Sequence, residues 1–101
     1  MIKHLVVWTL KVPEDKASRL ASLKPRAEAL VGQIPGLRHL EVIDGLPLEP
    51  TSGDIALYAE FDDLAALAAY QQHPLHKAFG EEEVKPFMAS RRVLDWQASL
   101  T

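Results

Sequence analysis

An α+β fold is predicted by the order in which strand-like and helix-like segments alternate along this 101-residue chain. Four short segments have the residue types or the alternation of β-strands, and two segments carry apolar residues at helical spacing, in the order β-α-β-β-α-β. In one small sheet domain this order most economically forms a ferredoxin-like split βαβ arrangement, with a four-stranded antiparallel sheet. The length allows one domain over residues 1–101 and no second core.

The first half of the chain predicts a strand, a helix and a second strand. IKHLVVWTLK, residues 2–11, is rich in β-branched and aromatic residues. After Pro13, the segment EDKASRLASLKPRAEALVGQ has acidic residues in its first turn and an apolar stripe, which indicates a helix. Pro25 lies inside that pattern and should kink or divide the helix. LRHLEVID follows as a weaker strand.

The second half predicts a loop, a strand, a short helix, an irregular segment and a last strand. GLPLEPTSGD has loop composition, and IALYAEF is a clear strand. Asp62 or Asp63 then caps the helix DLAALAAYQQ, which ends at His73 because a proline follows. One or two helical turns, broken by Gly80 and Pro86, should precede the alternating strand RRVLDWQA.

Both faces of the first and third strands are apolar, which predicts a homodimer. In the third strand Ile55, Leu57 and Phe61 alternate with Ala56 and Tyr58. Two helices can cover only one face of the sheet, and an uncovered apolar face of that size is unusual on a monomer. We therefore expect a second copy to pack sheet against sheet about a two-fold axis.

The composition excludes several classes of function. The net charge of -3 argues against a general nucleic-acid binder, which would show a basic face. Without cysteines the chain has no disulfides and no thiolate metal sites. It has no nucleotide-binding signature and no apolar stretch of about 18 residues that would span a membrane. We expect a cytoplasmic protein with no cofactor, no metal ion and no membrane or nucleic-acid partner.

The segment YQQHPLHKAF, residues 70–79, holds the best candidates for acid/base chemistry. The unperturbed pKa of histidine lies near 6.5, so His76 can exchange protons at neutral pH. The Tyr70 hydroxyl could donate a hydrogen bond to a substrate oxygen that becomes negative. A helix end and a proline-enforced turn could direct both side chains into one cavity. Alternatively, His76 bonds a backbone carbonyl and Tyr70 is a core aromatic residue.

Three further residues are candidates with a structural alternative each. His4 alternates with apolar residues, so it either lines a pocket as a ligand-binding residue or is a satisfied core residue. Asp95 could orient a histidine by accepting its second N–H, or it could bond to the backbone or to a neighbouring arginine. His73 is a second ligand-binding candidate, although its ring should face the last carbonyls of the helix before it.

Three stretches of the chain resemble the stress-responsive α/β-barrel (Dabb) domain family: MIKHLVVWTLK, FDDLAALAAYQQHPLHKAF and PFMASRRVLDWQ. The most specific part is the Tyr-x-x-His-Pro-x-His run. The resemblance implies a dimeric α+β barrel of ferredoxin-like halves. It also matches Tyr70 and His76 to the catalytic pair of a cofactor-independent plant polyketide cyclase, and His4 and Asp95 to its pocket histidine and aspartate. A further pocket histidine of that enzyme falls at about Ile55 here, so the sequence departs from it there.

The residues and the resemblance together predict a small dimer that binds a small organic molecule between helices and sheet. If it is an enzyme, the expected reaction is proton transfer next to a carbonyl: isomerisation, aldol-type cyclisation or decarboxylation. His76 would be the general base, Tyr70 the donor to the oxyanion, and Asp95 or a backbone carbonyl the orienting group. The alternative is a non-catalytic stress-responsive scaffold or ligand carrier.

Overall fold

Four strands form one antiparallel sheet in a computed structural model that describes residues 1–98. The elements in chain order are β1 (Ile2–Leu10), α1 (Lys16–Glu28), β2 (Leu37–Asp44), β3 (Ile55–Phe61), α2 (Leu64–Gln72), α3 (Pro74–Phe79) and β4 (Met88–Gln97). The strand order across the sheet is β2-β3-β1-β4. The predicted ferredoxin-like arrangement is confirmed. No helix within the described residues is long and apolar enough to cross a membrane.

Alternation along β1 and β3 places the core on one face of the sheet. Every second residue of β1 from Ile2 to Leu10 is buried, and the same holds for β3 from Ile55 to Phe61. Successive side chains of a strand point to opposite faces, so these residues share the face that the helices cover. We call this the inner face, and the opposite one the outer face.

The structure shows how the helical segments pass two predicted breakers, Pro25 and Gly80. α1 continues through Pro25 and ends three residues later, at Glu28, so the proline does not divide it. Gly80 does not break the helical segment either: its φ of -61° is helical, and a π-helical turn over Gly80–Val84 follows α3 directly. That turn is held from outside, because Glu83 is buried and accepts a hydrogen bond from the Ser22 hydroxyl of α1 at 2.7 Å. This contact stabilises the turn that begins at Gly80, a residue of low helix propensity.

The outer face is the uncovered side of the sheet. β4 pairs with β1 so that Leu94 lies opposite Leu5 and Trp96 opposite Lys3, all on this face. Leu94 is 59% exposed, and Trp96 and the ring of Tyr58 lie 6.4 Å apart, centre to centre, on the same surface. The described chain thus presents an apolar sheet face to solvent, as the sequence predicts.

Two glycines with positive φ close the segment between α1 and β2, and they differ in their surroundings. Gly32 has a φ of +89° and open space around it, whereas Gly36 has a φ of +83° and lies against α2. A Cβ on Gly36 would come within 2.6 Å of the Ala66 Cβ. Gly36 therefore allows the turn into β2 and the approach of α2 to the same point.

Replacing these two glycines should separate the two effects. Gly32→Ala places a side chain in the left-handed region alone, which costs about 1–2 kcal/mol. Gly36→Ala adds the clash with Ala66, and overpacking costs a further 1–3 kcal/mol or so. Urea unfolding of both variants measures the difference. Equal losses in unfolding free energy would show that α2 can move away from Gly36 without cost.

Candidate functional site

A cavity of about 130 Å³ lies on the inner face, between β1, β4 and the helical segment that runs from α2 to the π-helical turn. Its apolar wall is formed by Val6, Leu57, Phe79 and Val84. Its polar or titratable side chains are His4, Trp8, Tyr70, His76 and Arg91. A wider groove of about 310 Å³ shares Trp8, Val84 and Arg91 with the cavity, so the two volumes adjoin at this point.

The structure brings Tyr70 and His76 together, one from each side of the turn between α2 and α3. Pro74 begins α3 after His73, whose extended backbone (φ -68°, ψ 134°) redirects the chain. The two rings then lie 4.1 Å apart, centre to centre, at an interplanar angle of 42°. Tyr70 is only 1% exposed, while His76 is half-buried. Both side chains line the cavity.

The surroundings shift the pKa values of this pair in opposite directions. Burial raises the pKa of Tyr70 above its usual value of 10, although the charge of Arg91 acts against this. Burial lowers the pKa of His76 below 6.5, and the positive charges of nearby residues lower it further against the effect of the Gln71 carbonyl. Near neutral pH the phenol therefore keeps its proton and the imidazole is neutral. A protonated donor thus lies beside a free base.

Two buried nitrogen atoms on the cavity wall have no hydrogen-bond partner among residues 1–98: the Nδ1 of His76 and the Nε1 of Trp8. A buried polar group without a partner costs about 1–3 kcal/mol. Orphaned polar groups are rare in folded proteins. Both residues line the cavity, so the described chain leaves two buried polar atoms without a partner at this place.

His4 and Asp95 form a pair across β1 and β4. The strand register places the two residues directly opposite each other, and the Asp95 carboxylate is bonded to the Nδ1 of His4. His4 is 3% exposed, and its ring lies edge-on to Tyr70 at 6.3 Å. The bond to Asp95 fixes the orientation of the imidazole and leaves Nε2 as the nitrogen that the carboxylate does not engage.

Of the alternatives that the sequence leaves open for Asp95, the structure shows the bond to a histidine, but that histidine is His4. The sequence indicates Asp95 or a backbone carbonyl as the group that orients His76. In the structure Asp95 orients His4, because the register of two paired strands decides its neighbour, whereas His76 comes from the separate α3 segment.

His73 also has a different place from the one expected. Its Nδ1 accepts a hydrogen bond from the Leu75 backbone N–H at 3.1 Å. It thus caps the start of α3 instead of facing the last carbonyls of α2, because Pro74 begins a new helix immediately after it. His73 is not among the residues that line the cavity.

Trp8 and Arg91 are site residues that the sequence reasoning missed. Both could have been found by extending the two-residue alternation, since Trp8 is four residues from His4 and Arg91 four residues from Asp95. In the described part of the chain, no three histidine, aspartate or glutamate side chains are placed to hold a metal ion together.

Comparison with known proteins agrees with this architecture. The model of the stress-responsive A/B barrel domain (Dabb) family matches residues 2–98. A dimeric protein of unknown function with a ferredoxin-like fold from Bacteroides fragilis is 37% identical, with a TM-score of 0.80, over 96% of this chain and 95% of that one. A Dabb family protein from Mesorhizobium loti is 26% identical, with a TM-score of 0.75, over 97% and 96% of the two chains.

More distant likeness extends to an antibiotic biosynthesis monooxygenase, with a TM-score of 0.74 over 98% of this chain and 99% of that one. At 17% identity this likeness shows a shared fold alone. No curated protein has significant sequence similarity to the chain. The match of the family model over nearly the whole sequence carries the assignment: the chain belongs to the stress-responsive A/B barrel domain family.

Proposed function

We propose that this protein is a homodimer that binds a small organic molecule in the cavity and catalyses cofactor-independent proton transfer next to a carbonyl group. One observation carries the proposal. Tyr70 and His76 are in ring contact on the cavity wall, where near neutral pH the phenol is a donor and the imidazole a base, and burial strengthens both preferences. Groups with this division of protonation states are typical of acid/base sites.

In the proposed reaction, His76 removes a proton from the carbon next to the carbonyl. The electron pair of the broken C–H bond forms the enolate double bond, and the carbonyl oxygen becomes negative. The Tyr70 hydroxyl donates a hydrogen bond to this oxygen and stabilises it inside a largely apolar cavity. Return of the proton to another carbon completes an isomerisation. In an aldol-type cyclisation the enolate carbon instead bonds to a second carbonyl carbon, and the oxygen of that carbonyl, now an alkoxide, takes the proton back from His76.

His4 serves as a ligand-binding residue in this proposal, and Asp95 is its positioning residue. The carboxylate on Nδ1 holds the ring in one orientation beside Tyr70. The position at which the resemblance implies another pocket histidine is Ile55, which is buried opposite Trp8 in the β1–β3 pairing. The chain has no acid or base there, so the polyketide substrate is not carried over to it.

The dimer is proposed from the outer face of the sheet. Leu94 and Trp96 are exposed on this face next to Leu5, and burial of apolar area favours association. The Bacteroides fragilis relative, 37% identical, is described as dimeric. A two-fold axis would place the same surface of both copies in contact.

Proton transfer can be tested with a ring-sized ketone. In D2O the wild-type protein should accelerate the loss of the α-proton NMR signals of cyclohexanone, and His76→Gln should reduce that acceleration about 10²-fold, the usual contribution of a general base. Lys77→Gln is the matched control, because Lys77 is the next residue on α3 and is exposed. Binding of the ketone with no exchange above buffer would indicate a ligand carrier. Equal rates for wild type and His76→Gln would remove His76 from the mechanism.

The exchange rate should also depend on pH in a particular direction. The active form of His76 is neutral, so the rate should rise as the pH rises through the pKa of His76 and then become constant. Because burial lowers that pKa below 6.5, the plateau should already be reached near neutral pH. Rates measured between pH 5 and 8, about the range in which histidine changes charge, test this. A rate that still climbs above neutral pH would contradict the assignment.

The dimer can be tested with one substitution on each side of the sheet. Leu94→Glu places a charge on the outer face and should convert the dimer to a monomer in analytical ultracentrifugation. Leu64→Glu is the control, since Leu64 is 68% exposed at the start of α2, in the helical layer. It should leave the mass unchanged. A Leu94→Glu protein that stays dimeric would show that another surface forms the interface.

A further inference from the structure

The proposed proton transfer does not use two polar groups of the cavity, the indole N–H of Trp8 and the guanidinium of Arg91. Neither can act as a base, because the indole nitrogen is only a donor and arginine keeps its proton in proteins. Both line the cavity and the adjoining groove. Both groups can only donate hydrogen bonds, so they would act in binding a ligand and not in removing its proton.

Trp8 presents a donor that the described chain does not satisfy. The residue is 3% exposed, and its Nε1 has no hydrogen-bond partner among residues 1–98. Tryptophan in a core usually finds an acceptor for this N–H. An acceptor that enters the cavity would remove the penalty of the unpaired group.

Arg91 stands next to that donor. The register of β1 and β4 places Trp8 directly opposite Arg91, and facing residues of paired strands have Cβ atoms about 4.5–5.5 Å apart. Within residues 1–98, Arg19, Arg91 and Arg92 form no ion pair with a carboxylate, and of these three only Arg91 lines the cavity. A donor and an unpaired positive charge therefore lie side by side on one wall.

The rest of the cavity is apolar and small. Its volume of about 130 Å³ is close to that of a cavity of roughly 150 Å³ that holds benzene in another protein. Val6, Leu57 and Phe79 contribute to its apolar wall. This combination suits an apolar body of one ring with one anionic group.

We propose that the cavity selects a ring-sized organic carboxylate, whose oxygen atoms accept hydrogen bonds from the Trp8 indole N–H and from Arg91. This inference rests on the proposed function and names the substrate class of the same site. The carboxylate at Arg91 would hold the molecule by one end and leave the remainder of the ring beside Tyr70 and His76. Paired hydrogen bonds from a guanidinium to a carboxylate are among the stronger polar contacts in proteins.

The test compares benzoate with benzyl alcohol, a neutral molecule with the same ring. The chain has two tryptophans, so an amide and indole ¹⁵N–¹H spectrum contains two indole signals, and Trp8→Phe identifies that of Trp8. Benzoate should shift the Trp8 signal and leave that of Trp96, on the outer face, in place. It should bind about tenfold more tightly than benzyl alcohol, which corresponds to roughly one charge-assisted contact.

Arg91→Gln should remove that tenfold preference by weakening benzoate alone, and Arg91→Lys, which keeps the charge, should retain part of it. Lys77→Gln again controls for the loss of one positive charge outside the cavity. Thermal unfolding of each variant shows that it is folded, which is expected because Arg91 and Lys77 are both exposed.

The outcomes separate the two proposals. Equal binding of the two probes, unchanged in Arg91→Gln, would overturn the carboxylate assignment and leave the proposed pocket intact. Equal weakening of benzoate by Lys77→Gln would also overturn it, since the attraction would then be to net charge. Absence of a Trp8 shift with either probe would overturn both the carboxylate assignment and the pocket.

Discussion

The pairing of β1 with β4 is the constraint on which the site depends. β1 lies between β3 and β4, and its alternation decides which residues enter the core and which reach the outer face. The same register sets two cross-strand pairs of the site, His4 with Asp95 and Trp8 with Arg91. A shift of β4 by one residue would move Arg91 and Asp95 to the outer face, away from Trp8 and His4. The core and the polar wall of the cavity are therefore specified together.

The cavity combines an apolar body with polar groups that the fold does not satisfy. The core cluster buries aliphatic and aromatic side chains from both layers, and His4 is one of two buried polar residues in the described structure. Its carboxylate partner offsets part of the cost of burial, whereas the nitrogens of His76 and Trp8 have no such partner among residues 1–98. Each of these two unpaired nitrogens lowers the free energy of unfolding. Sites that bind or transform a ligand are where such losses are usually found.

Much of the fold could be predicted because it depends on short-range pattern. Two-residue alternation located the strands, and the Asp63 cap of α2 is present, with its side chain accepting the Ala66 N–H at 2.8 Å. The continuity of the helical segment at Gly80 was harder to predict. The turn that begins there is held by a hydrogen bond between Glu83 and Ser22, which are far apart in sequence.

The site was predictable only in part, for a related reason. Tyr70 and His76 are near each other in the chain, and a turn between them is enough to bring their rings together. The partner of Asp95 depends instead on strand register, and the capping role of His73 depends on a new helix that begins at Pro74. Trp8 resembles any core aromatic residue until its N–H is seen to have no acceptor within residues 1–98. Residue type alone does not carry that information.

The separation of 91 residues between His4 and Asp95 has a consequence for how the protein is made. A chain that extends only as far as α3 contains β1, β2, β3 and all three helices, and with them every residue of the buried core cluster. It then lacks Arg91 and Asp95 and exposes the free edge of β1, which can pair with another chain. The pairs His4–Asp95 and Trp8–Arg91 therefore form only when β4 has been made and has paired with β1.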